Sequence, residues 1–259
     1  MVSITRCYEC EDGGVRAETA GFEKASHEYE RGRPGYPAEA VAFIVETAGL
    51  GPGKTVVDLA AGTGKLTRAL AGSGAEVIAV EPLDTMRERL VEQLPRVAAI
   101  SGSAESTGLA AGIADAVTIA QAFHWFAGED ALAEIQRVLK PEGLMCLIWN
   151  RRDLSDPAQA SIARLTAPHI GHAPSYGSGH WQQVMAVTSR FRLAAEHHCE
   201  MTQELDRKGV ADRVASTSYI ANLSDGVRIP LLEQIEALVP PSGTTLLPYT
   251  TDTYAYRRL

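Results

Sequence analysis

Short apolar segments alternate with helical patterns over the first part of this 259-residue chain. The apolar segments are residues 55–60, 76–80, 97–100, 116–120 and 144–149, and the helical patterns are residues 38–48, 65–71, 86–94 and 131–139. Strands that are apolar on both faces are typical of a parallel sheet covered by helices on each side. The alternation therefore predicts βαβ units and an α/β fold.

The regular alternation stops after Asn150. Residues 153–190 are polar and are predicted to form a helical insertion that lies over the sheet. A strand is predicted over residues 192–202, helices around 208–238, and a last strand near 246–257. The whole pattern predicts a Rossmann-like sheet of seven mostly parallel strands, with helices on both faces and a helical lid.

The chain is predicted to contain one folded domain. Residues 1–20 are expected to be a flexible leader, and residues 21–259 a single domain in which 151–190 form the lid. Cys7 and Cys10 form a C-x-x-C pair in the leader, without a second pair or histidines at zinc-finger spacing. We therefore expect no metal site.

The charge balance bears on the kind of partner. The chain has 24 basic and 32 acidic residues, for a formal net charge of −8. Proteins that bind nucleic acid or membrane surfaces need a basic face, so neither partner is expected. Apolar stretches are far shorter than the ~20 residues of a membrane span, and the N-terminus lacks an apolar signal region. We expect a cytoplasmic protein with a small-molecule partner, and the oligomeric state is left open.

A glycine loop follows the first predicted strand, in the sequence VVDLAAGTGKLT over residues 56–67. A dinucleotide-binding loop requires a third glycine where Thr67 stands, and a P-loop requires glycine at Leu59 and Ser or Thr at Leu66. Asp58 lies four residues before Gly62 and would repel a pyrophosphate. The loop therefore favours a cationic ligand without phosphate.

S-adenosylmethionine has this chemistry, because it carries an ammonium, a sulfonium, a ribose diol and an adenine. Glu81 ends the second predicted strand, 23 residues after Asp58. An acidic residue that accepts ribose hydroxyls is expected at about 20 residues. Residues 102–105 follow the third strand and are expected to meet the adenine edge. Carboxyl ends of parallel strands share one edge of a sheet, so these positions predict a single crevice.

These segments resemble the motifs of class I S-adenosylmethionine-dependent methyltransferases. The similar motifs are DLAAGTG (58–64), EP (81–82), GSAE (102–105), QAFHWF (121–126) and RVLKPEG (137–143). YERGRPGYP (29–37) and LPYTT (247–251) are similar to a narrower small-molecule branch that includes trans-aconitate-type carboxyl methyltransferases. The resemblance covers roughly residues 22–258. It implies in-line methyl transfer to a small-molecule acceptor, with O-methylation favoured and a carboxylate among the candidate acceptor groups.

The resemblance also implies a set of cofactor contacts. Tyr29 and Arg33 are expected to cap the methionine carboxylate, and Glu81 to hold the ribose. Pro82 or Met86 is expected to flank the adenine. The other expected cofactor contacts are Asp58, Ala60, Gly62, Thr63, Gly64, Ser103, Ala104, Glu105 and Gln121.

The acceptor is expected beyond the fourth strand, next to His124 and Trp125. His124 is a candidate general base for a phenol or an amine, would only orient a carboxylate, and is equally consistent with structural packing. Trp125 is expected to form a pocket wall. Arg151 is predicted to bind substrate, although Arg151 and Arg152 fit solvated surface charge equally well. Tyr219 is a further substrate-binding candidate, with core packing as its alternative.

Two other functions remain open on sequence alone. A nicotinamide-dependent oxidoreductase would also have a glycine loop, although Asp58 and Thr67 count against it. A non-catalytic S-adenosylmethionine-binding protein would keep Asp58 and Glu81 with a blocked acceptor pocket.

Overall fold

A computed structural model describes residues 31–171 and 174–259 of the chain. The predicted leader and Tyr29 therefore lie outside the described residues. Seven strands form one sheet in the order β3-β2-β1-β4-β5-β7-β6. The strands are β1 (Thr55–Leu59), β2 (Glu76–Val80), β3 (Ala98–Ile100), β4 (Ala114–Ala120), β5 (Leu139–Arg152), β6 (Phe191–Asp206) and β7 (Thr244–Arg258).

The sheet is mostly parallel, which confirms the predicted fold class. Strands β1 to β5 run parallel to one another, whereas β7 lies between β5 and β6 and is antiparallel to both. Strand order reverses between β1 and β4, because the chain moves outward to β2 and β3 before it returns. Open α/β sheets bind ligands at such a reversal, outside the carboxyl ends of the strands.

The helices occupy the predicted segments. They are α1 (Ala38–Thr47), α2 (Lys65–Ala71), α3 (Asp84–Gln93), α4 (Glu129–Val138), α5 (Pro157–Thr166), α6 (His180–Val187), α7 (Arg207–Ala215), α8 (Ser218–Ala221) and α9 (Asp225–Glu236). None of these described helices is long and apolar enough to cross a membrane.

The start of β5 differs from the sequence prediction. The strand begins at Leu139 rather than Leu144, so Pro141 and Gly143 lie inside it. The register between β4 and β5 shifts at this point, and Glu142 has a positive φ of 63°. An irregularity of this kind accommodates a proline that a regular ladder excludes.

Alternate residues of the central strands fill two cores, one on each face of the sheet. Val57 and Leu59 belong to one apolar cluster, whereas Val56 belongs to the other. A third cluster forms where α5, α7 and α9 pack against the end of β6 and the start of β7, and it includes Val214 and Tyr249. This cluster fixes α7 beside the carboxyl-terminal edge of the sheet.

The segment before α1 is held against that same edge. Asn150, near the end of β5, donates its side-chain amide to the carbonyl of Gly35 at 2.8 Å. Gln203 of β6 donates to the carbonyl of Gly32 at 3.0 Å. Gly32 lies so close to α7 that a Cβ atom there would be 2.4 Å from the backbone nitrogen of Arg213.

We expect Gly32→Ala to lower stability by about 2 kcal/mol, because backbone must move to admit the methyl group. Gly35→Ala is the matched control, since a Cβ atom there meets nothing within 4 Å. Thermal denaturation of both variants measures the difference. Equal melting temperatures for the two variants would contradict the close contact with α7.

Candidate active site

The loop between β1 and α2 turns sharply at three positions. Ala60, Gly62 and Gly64 have positive φ angles of 56°, 59° and 85°, whereas Ala61 does not. The amide of Ala61 donates to the carbonyl of Val80 at 3.1 Å, which draws the loop toward the end of β2. The loop backbone is thus fixed over the carboxyl ends of both strands.

Asp58 lies buried beneath this loop. Its Oδ2 accepts the Thr67 hydroxyl at 2.5 Å, and its Oδ1 accepts the Thr118 hydroxyl at 3.0 Å. Burial raises the pKa of Asp58 to about 6, although both hydroxyls oppose the rise. Asp58 therefore ties the loop to the first turn of α2 and places a carboxyl group under the predicted ligand. No spacing in the sequence indicates the two threonines.

Glu81 joins the glycine loop to the turn after β2. Its Oε2 accepts the amide of Gly62 at 2.8 Å, and its Oε1 accepts the amide of Leu83 at 3.0 Å. Burial raises the pKa of Glu81, while the two backbone hydrogen bonds and Arg87 oppose that rise. Each carboxylate oxygen has a second lone pair, so both can also accept a hydroxyl. This pair of acceptors fits the two hydroxyl donors of a ribose diol.

The two residues predicted to flank an adenine differ in burial. Pro82 is exposed beside Glu81, whereas Met86 is only 2% exposed and lies on the buried face of α3. Pro82 is therefore the one that offers a surface to a ligand.

The segment after β3 forms a tight turn. The hydroxyl of Ser103 accepts the amide of Ser106 at 3.1 Å, and Ala104 is buried in the core. Glu105 is exposed and borders a shallow depression with Asp130 of α4. The turn thus presents backbone groups and one exposed carboxylate near the end of β3.

Gln121 directly follows β4 and has a strained conformation. Its φ is 59°, and its side-chain amide lies 3.4 Å from the carbonyl oxygen of Asn150 at the end of β5. Ala60 has the same type of conformation at the end of the neighbouring strand β1. Left-handed residues other than glycine are uncommon and cluster at functional sites. Two of them occur at the point where the strand order reverses.

The protonation state of His124 follows from its partner Trp149. The indole Nε1 of Trp149 lies 3.3 Å from Nδ1 of His124. An indole nitrogen only donates, so Nδ1 is the acceptor and the neutral ring carries its proton on Nε2. Burial, with a smaller effect from Arg33, lowers the pKa of His124 to about 4. At neutral pH, His124 is therefore an uncharged hydrogen-bond donor.

Arg33 connects His124 to α7. Its Nε donates to the hydroxyl of Ser216 at 3.1 Å, and its Nη2 donates to the Ser216 carbonyl at 3.1 Å. Its positive charge acts on His124, since it lowers the pKa of that ring. The structure thus brings together Arg33, predicted on the cofactor side, and His124, predicted on the acceptor side.

Arg151 is paired with a buried carboxylate. Its guanidinium forms a salt bridge with Asp252, a β7 carboxylate that is 1% exposed. The same carboxylate accepts the Tyr176 hydroxyl at 2.8 Å and lies 2.8 Å from Nδ1 of His198. The substrate-binding role predicted for Arg151 would therefore compete with an existing ion pair.

Aromatic side chains attach residues 174–187 to the sheet. Trp181 stacks on Trp149 with ring centroids 4.5 Å apart, and Tyr176 contacts Trp149 edge-on at 5.1 Å. Trp149 also donates to His124, whose ring centroid lies 5.6 Å from that of Trp125. The predicted lid therefore contacts the residue that orients His124.

Two further sequence predictions, the substrate-binding role of Tyr219 and the lack of a metal site, concern residues away from the glycine loop and His124. Tyr219 is partly buried and packs against the third apolar cluster. Although no metal site was expected, one group of potential ligand atoms, from Glu39, His197 and Cys199, lies within 4.8 Å of one another. This group is formed by α1 and the edge strand β6, and we assign it no role.

In this chain, the first two strands of a parallel sheet end in buried carboxylates beneath a glycine loop. This arrangement is typical of the class I S-adenosylmethionine-dependent methyltransferases. Comparison with known proteins agrees with this class. A family model for the methyltransferase domain matches residues 57–147. An uncharacterized methyltransferase of Mycobacterium tuberculosis is 34% identical over 242 residues, which are 91% of this chain and 95% of that protein. The chain therefore belongs to the S-adenosylmethionine-dependent methyltransferases.

A second relative and two solved structures are similar in part. An uncharacterized methyltransferase of Schizosaccharomyces pombe is 42% identical over 137 residues, which are 52% of this chain and 55% of that protein. A proposed type II methyltransferase from Anaeromyxobacter dehalogenans has a TM-score of 0.63 at 20% identity, covering 87% and 97% of the two chains. A geranyl diphosphate methyltransferase solved with S-adenosylmethionine has a TM-score of 0.51 at 16% identity, covering 96% and 93%. Both structural likenesses show the fold alone.

Among the functions that the sequence left open, family membership favours methyl transfer over the nicotinamide-dependent oxidoreductase and the non-catalytic binding protein. The narrower resemblance to trans-aconitate-type enzymes stays a prediction.

Proposed function

We propose that this methyltransferase O-methylates a small-molecule acceptor and that the methylated group is a carboxylate. The observation that supports this acceptor most directly is the state of His124, a neutral donor whose Nδ1 is occupied by Trp149. A site built around a hydrogen-bond donor suits an acceptor that is already an anion. A phenol or an amine would instead require a group that removes a proton.

The proposed cofactor site combines the loop, the two carboxylates and the strand ends. Glu81 would hold the ribose through the free lone pairs of its oxygens, and Pro82 would flank the adenine. The loop backbone at Ala60, Gly62, Thr63 and Gly64, above Asp58, would surround the amino-acid end. Ser103, Ala104 and Glu105 on the adenine side, and Gln121 and Arg33 on the methionine side, complete the proposed set; Met86 supports it from the core.

The chemistry required of the protein is modest. Bound S-adenosylmethionine supplies a methyl group on a sulfonium, and a carboxylate oxygen forms the new C–O bond as the C–S bond breaks, with no proton to remove. The protein's contribution is then to position the acceptor and exclude water. His124 would donate from Nε2 to the carboxylate, and Trp125 would form the wall beside it.

We propose that residues 151–190 act as the lid of a single domain. Tyr176 and Trp181 of this segment pack on Trp149, the residue that orients His124. These contacts support the role, because they hold the segment over the side of the sheet that carries Trp149. A covered site would keep water from the reacting oxygen and methyl carbon.

The reaction is tested with S-adenosylmethionine labelled in its methyl group and a panel of small carboxylic acids. Methyl esters release labelled methanol in mild base, whereas methyl ethers and methylamines do not. Base-labile label would support the proposal. Label that resists base would contradict carboxylate methylation and point to another acceptor atom.

The state of His124 makes a prediction about pH dependence. A base with an ordinary histidine pKa would make kcat/KM rise through pH 6–7. Because the pKa of His124 is lowered to about 4, the ring stays neutral and its contribution should be constant from pH 5.5 to 8. His124→Phe should lower kcat/KM by roughly 10- to 100-fold through the lost hydrogen bond, with partial rescue in His124→Asn. A rise through pH 6.5 that disappears in His124→Phe would instead identify a general base.

A further inference from the structure

Two arginines meet where β5 ends against α7. Arg152 is the last residue of β5 and lies directly opposite Tyr249 of β7. Arg213 of α7 donates its Nε to the Tyr249 hydroxyl at 3.2 Å, and its guanidinium carbon lies 5.9 Å from the centre of that ring. Tyr219 of α8 interacts electrostatically with Arg152 in the same cluster.

This cluster carries positive charge without a matching anion among residues 31–171 and 174–259. Arg213 is 6% exposed, and its Nη1 is buried with no hydrogen-bond partner. No salt bridge found in the described parts of the chain includes Arg152 or Arg213. Burial, together with the charge of Arg213, lowers the pKa of Arg152. Arg152 is partly exposed, but burying the charge of Arg213 beside it without an anionic partner is costly, so the arrangement is suited to an incoming anion.

Arg151, the residue before Arg152 in β5, has a different kind of partner. Adjacent strand residues point to opposite faces of the sheet, so Arg151 and Arg152 have different surroundings. Arg151 meets the buried carboxylate of Asp252, whereas Arg152 meets a second arginine. The sequence alone gives no reason to distinguish the two.

The cluster adjoins the proposed acceptor site. Arg33, whose charge acts on His124, donates to Ser216 one turn after Arg213 on the same helix end. Gly32 lies against the backbone of Arg213 itself. An electrostatic interaction between Arg33 and His124, together with the contacts of residues 32–33 with the end of α7, therefore links His124 to this cluster.

We propose that Arg152 and Arg213 form a subsite for a second oxyanion group of the acceptor, one that is not itself methylated. This inference rests on the proposed function, because it names what holds the distal end of that acceptor. The shared ligand chemistry is a carboxylate or a phosphate, which a guanidinium fork binds through paired hydrogen bonds. Tyr219 and Tyr249 form the walls of the subsite.

The test is a calorimetric titration of the full chain saturated with S-adenosylhomocysteine. Succinate and inorganic phosphate are the anionic probes, and succinamide is the uncharged counterpart of succinate. We expect one of the anions to bind, and succinamide to bind at least tenfold more weakly. Binding of succinate alone identifies a carboxylate subsite, and binding of phosphate alone identifies a phosphate subsite. If neither anion binds the wild-type protein, the inference is overturned.

Variants locate the bound anion. Arg152→Gln and Arg213→Lys should each weaken anion binding at least tenfold, and the lysine keeps the charge while removing the fork. Arg192→Gln is the control, since it removes the same charge from an exposed position at the start of β6. Equal anion affinity in Arg152→Gln and Arg192→Gln would overturn the assignment. Arg152→Gln decides the question even if changes at the buried Arg213 impair folding.

Two accompanying measurements separate this inference from the proposed function. Each variant is titrated with S-adenosylhomocysteine, and unchanged affinity shows that the cofactor site is intact. Anion binding that depends on Arg152, found together with base-stable methyl label, would support the subsite and contradict carboxylate methylation. Base-labile methyl esters formed equally well by the wild type and Arg152→Gln would support carboxylate methylation and contradict the subsite.

Discussion

Replacing Glu81 with alanine is expected to weaken S-adenosylhomocysteine binding by at least about 100-fold, on the order of 3 kcal/mol, because hydrogen bonds to a charged group contribute about 1.5–3 kcal/mol each. The substitution removes the proposed acceptor of the ribose hydroxyls. It also leaves the amides of Gly62 and Leu83 without their partner, so the glycine loop loses its anchor. Isothermal titration calorimetry measures the loss directly.

Two further variants make this prediction specific. Glu76→Ala removes an exposed carboxylate from the other end of β2 and should bind S-adenosylhomocysteine as the wild type does. Glu81→Gln should fall between the wild type and Glu81→Ala, because its single carbonyl oxygen replaces one of two acceptors and its amide faces a backbone N–H. Wild-type affinity in Glu81→Ala, with the fold intact by circular dichroism, would remove Glu81 from the cofactor site.

Replacing Asp252 with alanine is expected to lower the free energy of unfolding by about 3 kcal/mol, since breaking a buried ion pair costs about 3–5 kcal/mol and its partners here are partly solvated. The carboxylate is 1% exposed and receives hydrogen bonds from Arg151, His198 and Tyr176. For a chain near this size the change corresponds to a fall in melting temperature of roughly 6–12 °C. Because Tyr176 belongs to the proposed lid, residues 167–179 should also become more sensitive to limited proteolysis.

Asp252 makes its contribution over a defined pH range. Burial alone would raise its pKa, but Arg151, His198 and Tyr176 hold it below the usual value. A lowered pKa in the folded state stabilises the protein above the unfolded pKa of about 3.9, and the effect is lost as pH falls through the folded value. The difference between wild type and Asp252→Ala should therefore be full at pH 7 and shrink below pH 4.

The control for this prediction is a surface ion pair. Asp225 is largely exposed and lies 3.7 Å from Nε of Arg228 one turn along α9. Asp225→Ala should cost less than about 1 kcal/mol at pH 7. If both aspartate variants melt at the same temperature, the buried network does not stabilise the protein as we infer.

Much of the fold was predictable because burial leaves a local pattern in the sequence. Strands covered on both faces are mostly apolar, without a regular polar alternation, so β1, β2 and β4 were recognised within two residues of their ends. The start of β5 was missed by five residues, because Pro141 and Gly143 ordinarily end an element. There, a shift in register against β4 accommodates residues that local rules exclude from a strand.

The closeness of the two acidic strand ends was predictable for a related reason. Parallel strands direct their carboxyl ends to one edge, so Asp58 and Glu81 had to lie near each other once β1 and β2 were recognised. The internal partners of Asp58 were not predictable. Thr67 and Thr118 come from α2 and β4, and nothing about their positions in the sequence marks them as ligands of a buried carboxylate. Tyr29 lies outside the described residues, and its contact with the cofactor stays a prediction, as do the cytoplasmic location and the lack of a nucleic-acid partner.

The sequence by itself determined the α/β fold, the glycine loop and the two acidic strand ends, because each depends on spacing within a few tens of residues. Only the tertiary structure decided which partners surround His124, Arg151 and Arg152. Trp149 fixes the tautomer of His124, Asp252 neutralises Arg151, and Arg213 lies beside Arg152. These partners are 25, 101 and 61 residues away, and sheet order and helix packing bring them together. The chemical state of a side chain depends on its neighbours in space, which a local pattern does not encode.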